Sequence, residues 1–389
     1  MTPRTGVWLV GARGSVATTT VVGAAALRAG LLPPTGCVSA LPAFDGLPLP
    51  RFDALVFGGH DVAGTDLPKR ADQLARAGVI PGGLPELLRE ELLAADAEIR
   101  PGADAADHRV PGDAVDALAA DLVDFRARNR LDRVVVVNVA TTEARPRAHR
   151  AWESWRELRG QLRRETPPGE EVLPSSSLYA CAALLAGCPY VDFTPSVGVR
   201  VPALAELAVE RRLPYAGNDG KTGETLVKSA LAPMFAHRAL RVSSWSGTNL
   251  LGGGDGAALA DPERAASKSG SKARVLRAAL GHPVDGGVHI HHVPQLGEWK
   301  TAWDHITFDG FLGTRMTMQF TWQGCDSALA APLVLDLARF TALAHAEGVH
   351  GPVAELAFFF KDPLGTEEHA LERQFGALVD WAQGLGTVR

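Results

Sequence analysis

Val7-Trp-Leu-Val-Gly11-Ala-Arg-Gly14-Ser-Val-Ala17 is an apolar run that turns on two glycines into an alanine- and threonine-rich stretch. Strand, glycine turn and helix in that order form the context a dinucleotide-binding turn requires. Glycines admit a pyrophosphate against the backbone, and the helix N-terminus carries the partial positive charge to meet it. The first glycine of Gly-x-Gly-x-x-Gly is missing, because Leu9 holds its place. By itself the segment is read equally well as a nucleotide site or as a tight strand-to-helix turn without a ligand.

Working outward, the N-terminal half repeats the same arrangement, the signature of βα units building a parallel sheet. Candidate strands lie at 7–10, 54–57, 133–137, 190–193 and 213–216. They end in the turns Gly11-Ala-Arg-Gly14, Gly58-Gly-His-Asp61, Asn138-Val-Ala-Thr141-Thr142, Thr194-Pro-Ser196 and Gly217-Asn-Asp219-Gly-Lys221. Ligands bind at the carboxyl ends of strands in open parallel sheets, so these five turns are the expected rim of a site. Between them, 54–133 reads as helices joined by Pro-Gly loops, and 145–164 as a charged helix. After about 240 the pattern changes to Ser- and Gly-rich loops at 243–256 and 267–271, alternating with strand-like runs at 288–293, 306–308 and 316–322. A helix over 327–346, the run 357–360 and a helix over 367–384 return to the earlier style. The fold class predicted is α/β, a discontinuous Rossmann-type domain (1–225 and 330–389) with an inserted α+β domain at 226–329.

Composition narrows the function. The 389 residues carry 39 Lys and Arg against 44 Asp and Glu, net −5, with no long basic block, which argues against a nucleic-acid or membrane-surface partner. Four scattered cysteines suggest neither a disulfide framework nor a zinc site. The N-terminus has no apolar signal stretch, and no run approaches the roughly 18 apolar residues that span a bilayer, so a cytoplasmic protein is expected.

Two motifs invite other chemistry. A Walker loop would need glycine five residues before Gly220, where Tyr215 stands, so a P-loop kinase is set aside. The same segment puts Asp219 and Thr222 either on a ligand or, in Thr222's case, at a helix N-cap. His289, His291 and His292 have no third ligand at a characteristic spacing, and no metal site is expected. The lysines say more. Only seven occur beside 32 arginines, yet six fall between 221 and 361. Arginine cannot release its proton near neutral pH, whereas a desolvated lysine can act as acid and base. Spacing alone leaves open a solvated helix face at Lys268 and Lys272.

A series of segments resembles the inositol-phosphate synthases, NAD-dependent cyclases of glucose 6-phosphate. They are Val10-Gly-Ala-Arg-Gly-Ser-Val-Ala-Thr-Thr, Gly217-Asn-Asp-Gly-Lys-Thr-Gly-Glu-Thr-Leu-Val-Lys-Ser and Asp261-Pro-Glu-Arg-Ala-Ala-Ser-Lys-Ser-Gly-Ser-Lys272. Val293-Pro-Gln-Leu-Gly-Glu-Trp-Lys300, Cys325-Asp-Ser-Ala-Leu-Ala-Ala-Pro-Leu-Val-Leu-Asp336 and Phe358-Phe-Phe-Lys-Asp-Pro363 follow in family order. The resemblance implies four catalytic lysines: Lys268, Lys272, Lys300 and Lys361. It implies NAD contacts at Gly11, Ala12, Arg13, Gly14, Ser15, Asp61, Ala140, Thr141, Asp219, Thr222, Asp255, Asp326 and Ser327. Gly253, Gly254, Glu298, Lys272 and Lys300 would border the substrate, and a homotetramer is usual.

The implied chemistry oxidises carbon 5 of a hexose 6-phosphate, enolises carbon 6, closes the ring on the sugar carbonyl and re-reduces the ketone. Each step moves a proton at or beside an oxygen-bearing carbon, which is work for lysine. Two departures from the family pattern stand out: Gly253-Gly254 where larger side chains are common, and Glu298-Trp299 where Asp and a smaller residue are common. Drift within the family explains them, as does a substrate such as fructose 6-phosphate, whose closure would give a five-membered cyclitol phosphate. A simple NAD-dependent dehydrogenase is the further alternative.

Overall fold

A computed structural model describes residues 3–103, 109–167, 170–252 and 280–386. Seven parallel strands form the first sheet: β1 (Thr5–Val10), β2 (Leu55–Asp61), β3 (Ile99–Pro101), β4 (Arg133–Asn138), β5 (Tyr190–Asp192), β6 (Pro214–Gly217) and, late in the chain, β11 (Gly351–Pro352). Their order is β11-β6-β5-β4-β1-β2-β3, so the chain reverses its direction of travel between β1 and β4, the switch point at which doubly wound sheets bind ligands. Val10 lies opposite His60 on one side and Asn138 on the other; Asn138 faces Asp192, and Asp192 faces Gly217. The five rim turns that follow β1, β2, β4, β5 and β6 therefore start at one level. β1 is buried at all six residues, which explains its unbroken apolar sequence.

The helices are α1 (Ser15–Arg28), α2 (Leu67–Arg76), α3 (Leu84–Leu87), α4 (Arg89–Asp96), α5 (Pro111–Arg128), α6 (Trp155–Leu162), α7 (Ser175–Leu185), α8 (Pro202–Glu210), α9 (Gly223–His237), α10 (Asp326–Ala346) and α11 (Leu371–Gly386). One core layer joins α1 and α10 to the sheet through Ala17, Val21, Val334, Leu337 and Phe340; the opposite layer includes α5, α7 and α8. α10 is long and apolar enough to cross a membrane, but most of it is buried inside the protein. Its Asp336 accepts from the amides of Val38 (2.6 Å) and Ser39 (3.1 Å), and burial pushes this carboxyl up to about 7.

A second, mixed sheet runs β10-β9-β7-β8, from β7 (Arg241–Leu251), β8 (Val288–His292), β9 (Lys300–Asp309) and β10 (Arg315–Gly324). α9 lies on one face, packing Ala232 and Phe235 against Val242, Trp245, Ile306 and Phe308. The α/β class with a separate sheet agrees with the expectation. Several local readings do not. Most of 243–256 was expected to be loop, yet β7 runs through it, because Trp245, Gly247, Asn249 and Leu251 alternate inward while small polar Ser and Thr take the open face. The helix expected over 145–164 is confined to a short turn at Arg150–Glu153 and to α6, whose N-cap is Ser154; Pro146 precedes both. β3 and β11 carry no expectation; each has two or three residues, too few to show alternation.

Candidate active site

Gly11 opens the first rim turn at φ +83°, and a Cβ there would stand 2.7 Å from Ala140 Cα, so the loop after β4 lies directly against it. At Gly59 a Cβ would meet the Leu9 carbonyl at 2.2 Å and Ala12 Cβ at 2.5 Å. Only glycine lets β1 and β2 approach this closely at the turn. The His60 carbonyl accepts from the amides of Gly11 (2.9 Å) and Ala12 (3.2 Å). Beneath it Trp8 donates to His60 Nδ1 at 2.9 Å, which leaves Nε2 to donate to Asp121 at 3.0 Å; burial lowers this imidazole's pKa. Asp61, at the end of β2, accepts from the Arg13 amide (2.6 Å) and the Ala63 amide (2.7 Å). The Arg13 side chain turns away to Asp96 at 3.0 Å. α1 then begins with no side-chain cap and no acidic residue in its first turn, an end that favours an anion.

On the far side of the switch point, the loop after β6 pairs antiparallel with 359–364. Asn218 and Asp362 exchange amide and carbonyl bonds, Lys221 donates to the Phe359 carbonyl, and Leu364 donates to that of Gly217. This pairing holds Asp219 at φ +61°, a left-handed conformation that Asp tolerates better than most side chains. It also sets Lys361 beside Asp219: amide to carbonyl at 2.7 Å, ammonium to Oδ1 at 2.8 Å. Both residues are over nine-tenths buried, and Asp219 Oδ2 is buried without a hydrogen-bond partner. Lys221 is also buried; it bonds the Gln374 side chain, and desolvation lowers its pKa to about 7.

A second lysine stands at the junction of the two sheets. Lys300, the first residue of β9, pairs with Asp326 at the start of α10, and Thr222 donates to the same carboxylate oxygen at 3.3 Å. Gly223, at φ +55°, leaves the room: a Cβ there would lie 2.6 Å from the Lys300 nitrogen. Ser327 meets Cys325 Sγ at 3.1 Å. One turn into α9, Glu224 and Lys228 form a buried pair; Asn249 donates to Glu224 at 2.6 Å and Trp245 to Asp304 at 2.7 Å. Asp304 lies 3.5 Å from the Lys228 nitrogen. Its carboxyl is raised by desolvation, against the pull of Lys228.

The structure thus joins Asp219 to Lys361, Asp326 to both Lys300 and Thr222, and Arg13 to Asp61. Ser15 and Glu298 meet through Arg70, which bonds them at 2.6 and 2.8 Å. Thr222 precedes α9 without capping it by its side chain. Ala140 and Thr141 follow β4, and Ala140 lies against Gly11. Gly253, Gly254, Asp255, Lys268 and Lys272 lie outside the described residues. No cluster of three metal-ligating side chains occurs among the described residues. Sequence reasoning missed Arg70, Asp304 and Asn249, which carry no motif, whereas the i, i+4 spacing of Glu224 and Lys228 signals a pair.

Residues 5–383 match the family model described as myo-inositol-1-phosphate synthase. Inositol-3-phosphate synthase 1 of Bacteroides thetaiotaomicron is 33% identical over 422 aligned positions, covering 100% of this chain and 95% of that protein. The bovine protein of the same name is 32% identical across 82% of this chain and 61% of its own length. Among solved structures, the inositol-3-phosphate synthase of Caenorhabditis elegans superposes with a TM-score of 0.85 at 24% identity, covering 99% of this chain and 86% of that one. A myo-inositol-1-phosphate synthase-related protein of Thermotoga maritima gives 0.76 at 25% identity, covering 98% of each.

Proposed function

The chain belongs to the myo-inositol-1-phosphate synthase family, whose members are NAD-dependent isomerases, and from that premise we propose that it closes glucose 6-phosphate into an inositol phosphate. The residues present suit the cofactor. Supporting this are the uncapped N-terminus of α1, the close approach at Gly11 and the unpartnered buried oxygen of Asp219. We assign NAD to Gly11, Ala12, Arg13, Gly14, Ser15, Asp61, Ala140, Thr141, Asp219, Thr222, Asp255, Asp326 and Ser327. Bound there, NAD would supply the hydride acceptor for oxidation at carbon 5 and the hydride donor for the final reduction, so no net NADH would accumulate.

The chain's own groups handle protons and charge. We assign Lys361, oriented by its 2.8 Å bond to Asp219, to proton transfer at the carbon 5 hydroxyl, its ammonium passing a proton to the Asp219 carboxylate as it takes the substrate's. Burial of both side chains excludes the water that would weaken this pair. Lys268 joins it in proton transfer and in stabilising the enolate oxygen. Lys272 and Lys300 bind the phosphate and the accepting carbonyl, with Gly253, Gly254 and Glu298 bordering the sugar. Residues 1–225 and 330–389 are assigned to the nucleotide domain and 226–329 to a catalytic and tetramerisation domain, in a cytoplasmic homotetramer.

The observation that carries this reading is the Lys361–Asp219 pair at the carboxyl edge of β6, with its second carboxylate oxygen buried and unsatisfied. Incubation with NAD and either glucose 6-phosphate or fructose 6-phosphate, followed by NMR of the product, tests it. The expected result is a six-membered cyclitol phosphate from glucose 6-phosphate without net NADH absorbance. A five-membered product from fructose 6-phosphate alone would replace the substrate assignment, and stoichiometric NADH would mark a dehydrogenase.

A further inference from the structure

Lys300 follows two residues that are both tied to α2, a helix packed on the first sheet. Glu298 accepts from Arg70 Nη2 at 2.8 Å, and Trp299 Nε1 donates at 2.8 Å to the carbonyl of Ala77, the C-cap residue just after α2. The same Arg70 nitrogen donates to Ser15 Oγ at 2.6 Å, and Nη1 is held by Gln73 at 2.9 Å. α2 is in turn fixed to the glycine turn, since Asp96 accepts both the Leu67 amide and Arg13 Nε at 3.0 Å. Within the turn, the amides of Leu296, Gly297 and Trp299 bond back to Val293, Pro294 and Leu296. Gly252 lies against it, where a Cβ would stand 2.5 Å from Gly297 backbone atoms.

We propose that Arg70, Glu298 and Trp299 form a clasp that sets Lys300 at its working distance from the cofactor turn. Arg70 and Glu298 are then positioning residues for cyclisation, with the Glu298 carboxylate acting through Arg70. The Arg70 and Glu298 side chains are 24% and 19% exposed, dry enough for a charge-assisted bond to hold one geometry. A guanidinium can fork to Ser15 and Glu298 together, which an ammonium does less well. The inference rests on the assignment of Lys300 to the substrate made above.

Arg70→Met and Glu298→Gln are each expected to lower kcat about tenfold or more, since a reacting group misplaced by about 1 Å costs about a hundredfold, while in Arg70→Met, a change outside the sugar's border, KM for the sugar phosphate stays within about threefold. Arg70→Lys should recover part of the loss. In the double variant the loss should not exceed that of the worse single change, because both remove one contact. Hydrogen exchange supplies a readout that needs no turnover: the amides of 296–299 should lose protection in both variants while those of β1 and β4 keep theirs. Unchanged kcat, multiplying effects in the double variant, or unchanged exchange at 296–299 would overturn the clasp. Should Arg70→Met fail to fold, Glu298→Gln and Arg70→Lys carry the same comparison. If the wild-type protein makes no cyclitol phosphate from either sugar, the functional assignment fails, and the exchange measurement still decides the clasp.

Discussion

Replacing Lys361 with Met keeps most of the side-chain volume and removes its charge from a pair 2.8 Å apart. With an effective dielectric of about 20, the attraction at that distance is about 6 kcal/mol before desolvation. What the variant loses is smaller, about 3–5 kcal/mol, because the loss is dominated by leaving Asp219 buried and uncompensated. The backbone bonds between 217–221 and 359–364 remain, so the loop itself should persist. At about 2.1 cal/mol/K per residue, 389 residues unfolding together have an entropy of about 0.8 kcal/mol/K. Tm should therefore fall by about 4–6 °C in scanning calorimetry. The double change Asp219→Asn with Lys361→Met removes both charges and should regain most of that loss, while both variants lose turnover. A Tm within a degree of wild type for Lys361→Met, or retained cyclisation, would refute the reasoning.

Lys268→Ala should abolish turnover while NAD still binds, as followed by calorimetric titration; retained activity would remove Lys268 from the reaction. Gly59→Ala forces a methyl to 2.2 Å from the Leu9 carbonyl, and should weaken both NAD binding and thermal stability by pushing apart the strands beneath the glycine turn. Two buried carboxyls should each take stability away as pH rises, against the opposite pull of buried His60 and Lys221. Burial lifts the Asp192 carboxyl from 3.8 to about 7, so the folded state binds the extra proton; its contribution is full below about 4 and is lost as pH rises through about 7. Asp336 acts in the same direction. Asp192→Asn should flatten the fall in urea midpoint between pH 5 and 8, and an unaltered slope would contradict the assignment.

Much of the first sheet was legible because its strands are buried on both faces and read as continuous apolar runs ending in glycine or polar turns. β7 was not, since one of its faces is open and bears Ser and Thr, so its composition resembles a loop while its inward residues alternate. Of the site, the lysines were legible through their scarcity among arginines and through family resemblance. Arg70 was not: one arginine among 32 carries no mark of its contact with Glu298, 228 positions away.

The sequence by itself determined the class of fold, most of its βα units and the family, since these follow from local periodicity and short motifs. Tertiary structure alone decided the partners. Lys361 meets Asp219 across 142 positions because two loops pair as short antiparallel strands, and Lys300 meets Asp326 because β9 and α10 begin at the same junction. Such pairings depend on where the sheets bring chain ends together, a property of the packed whole that no single stretch of sequence contains.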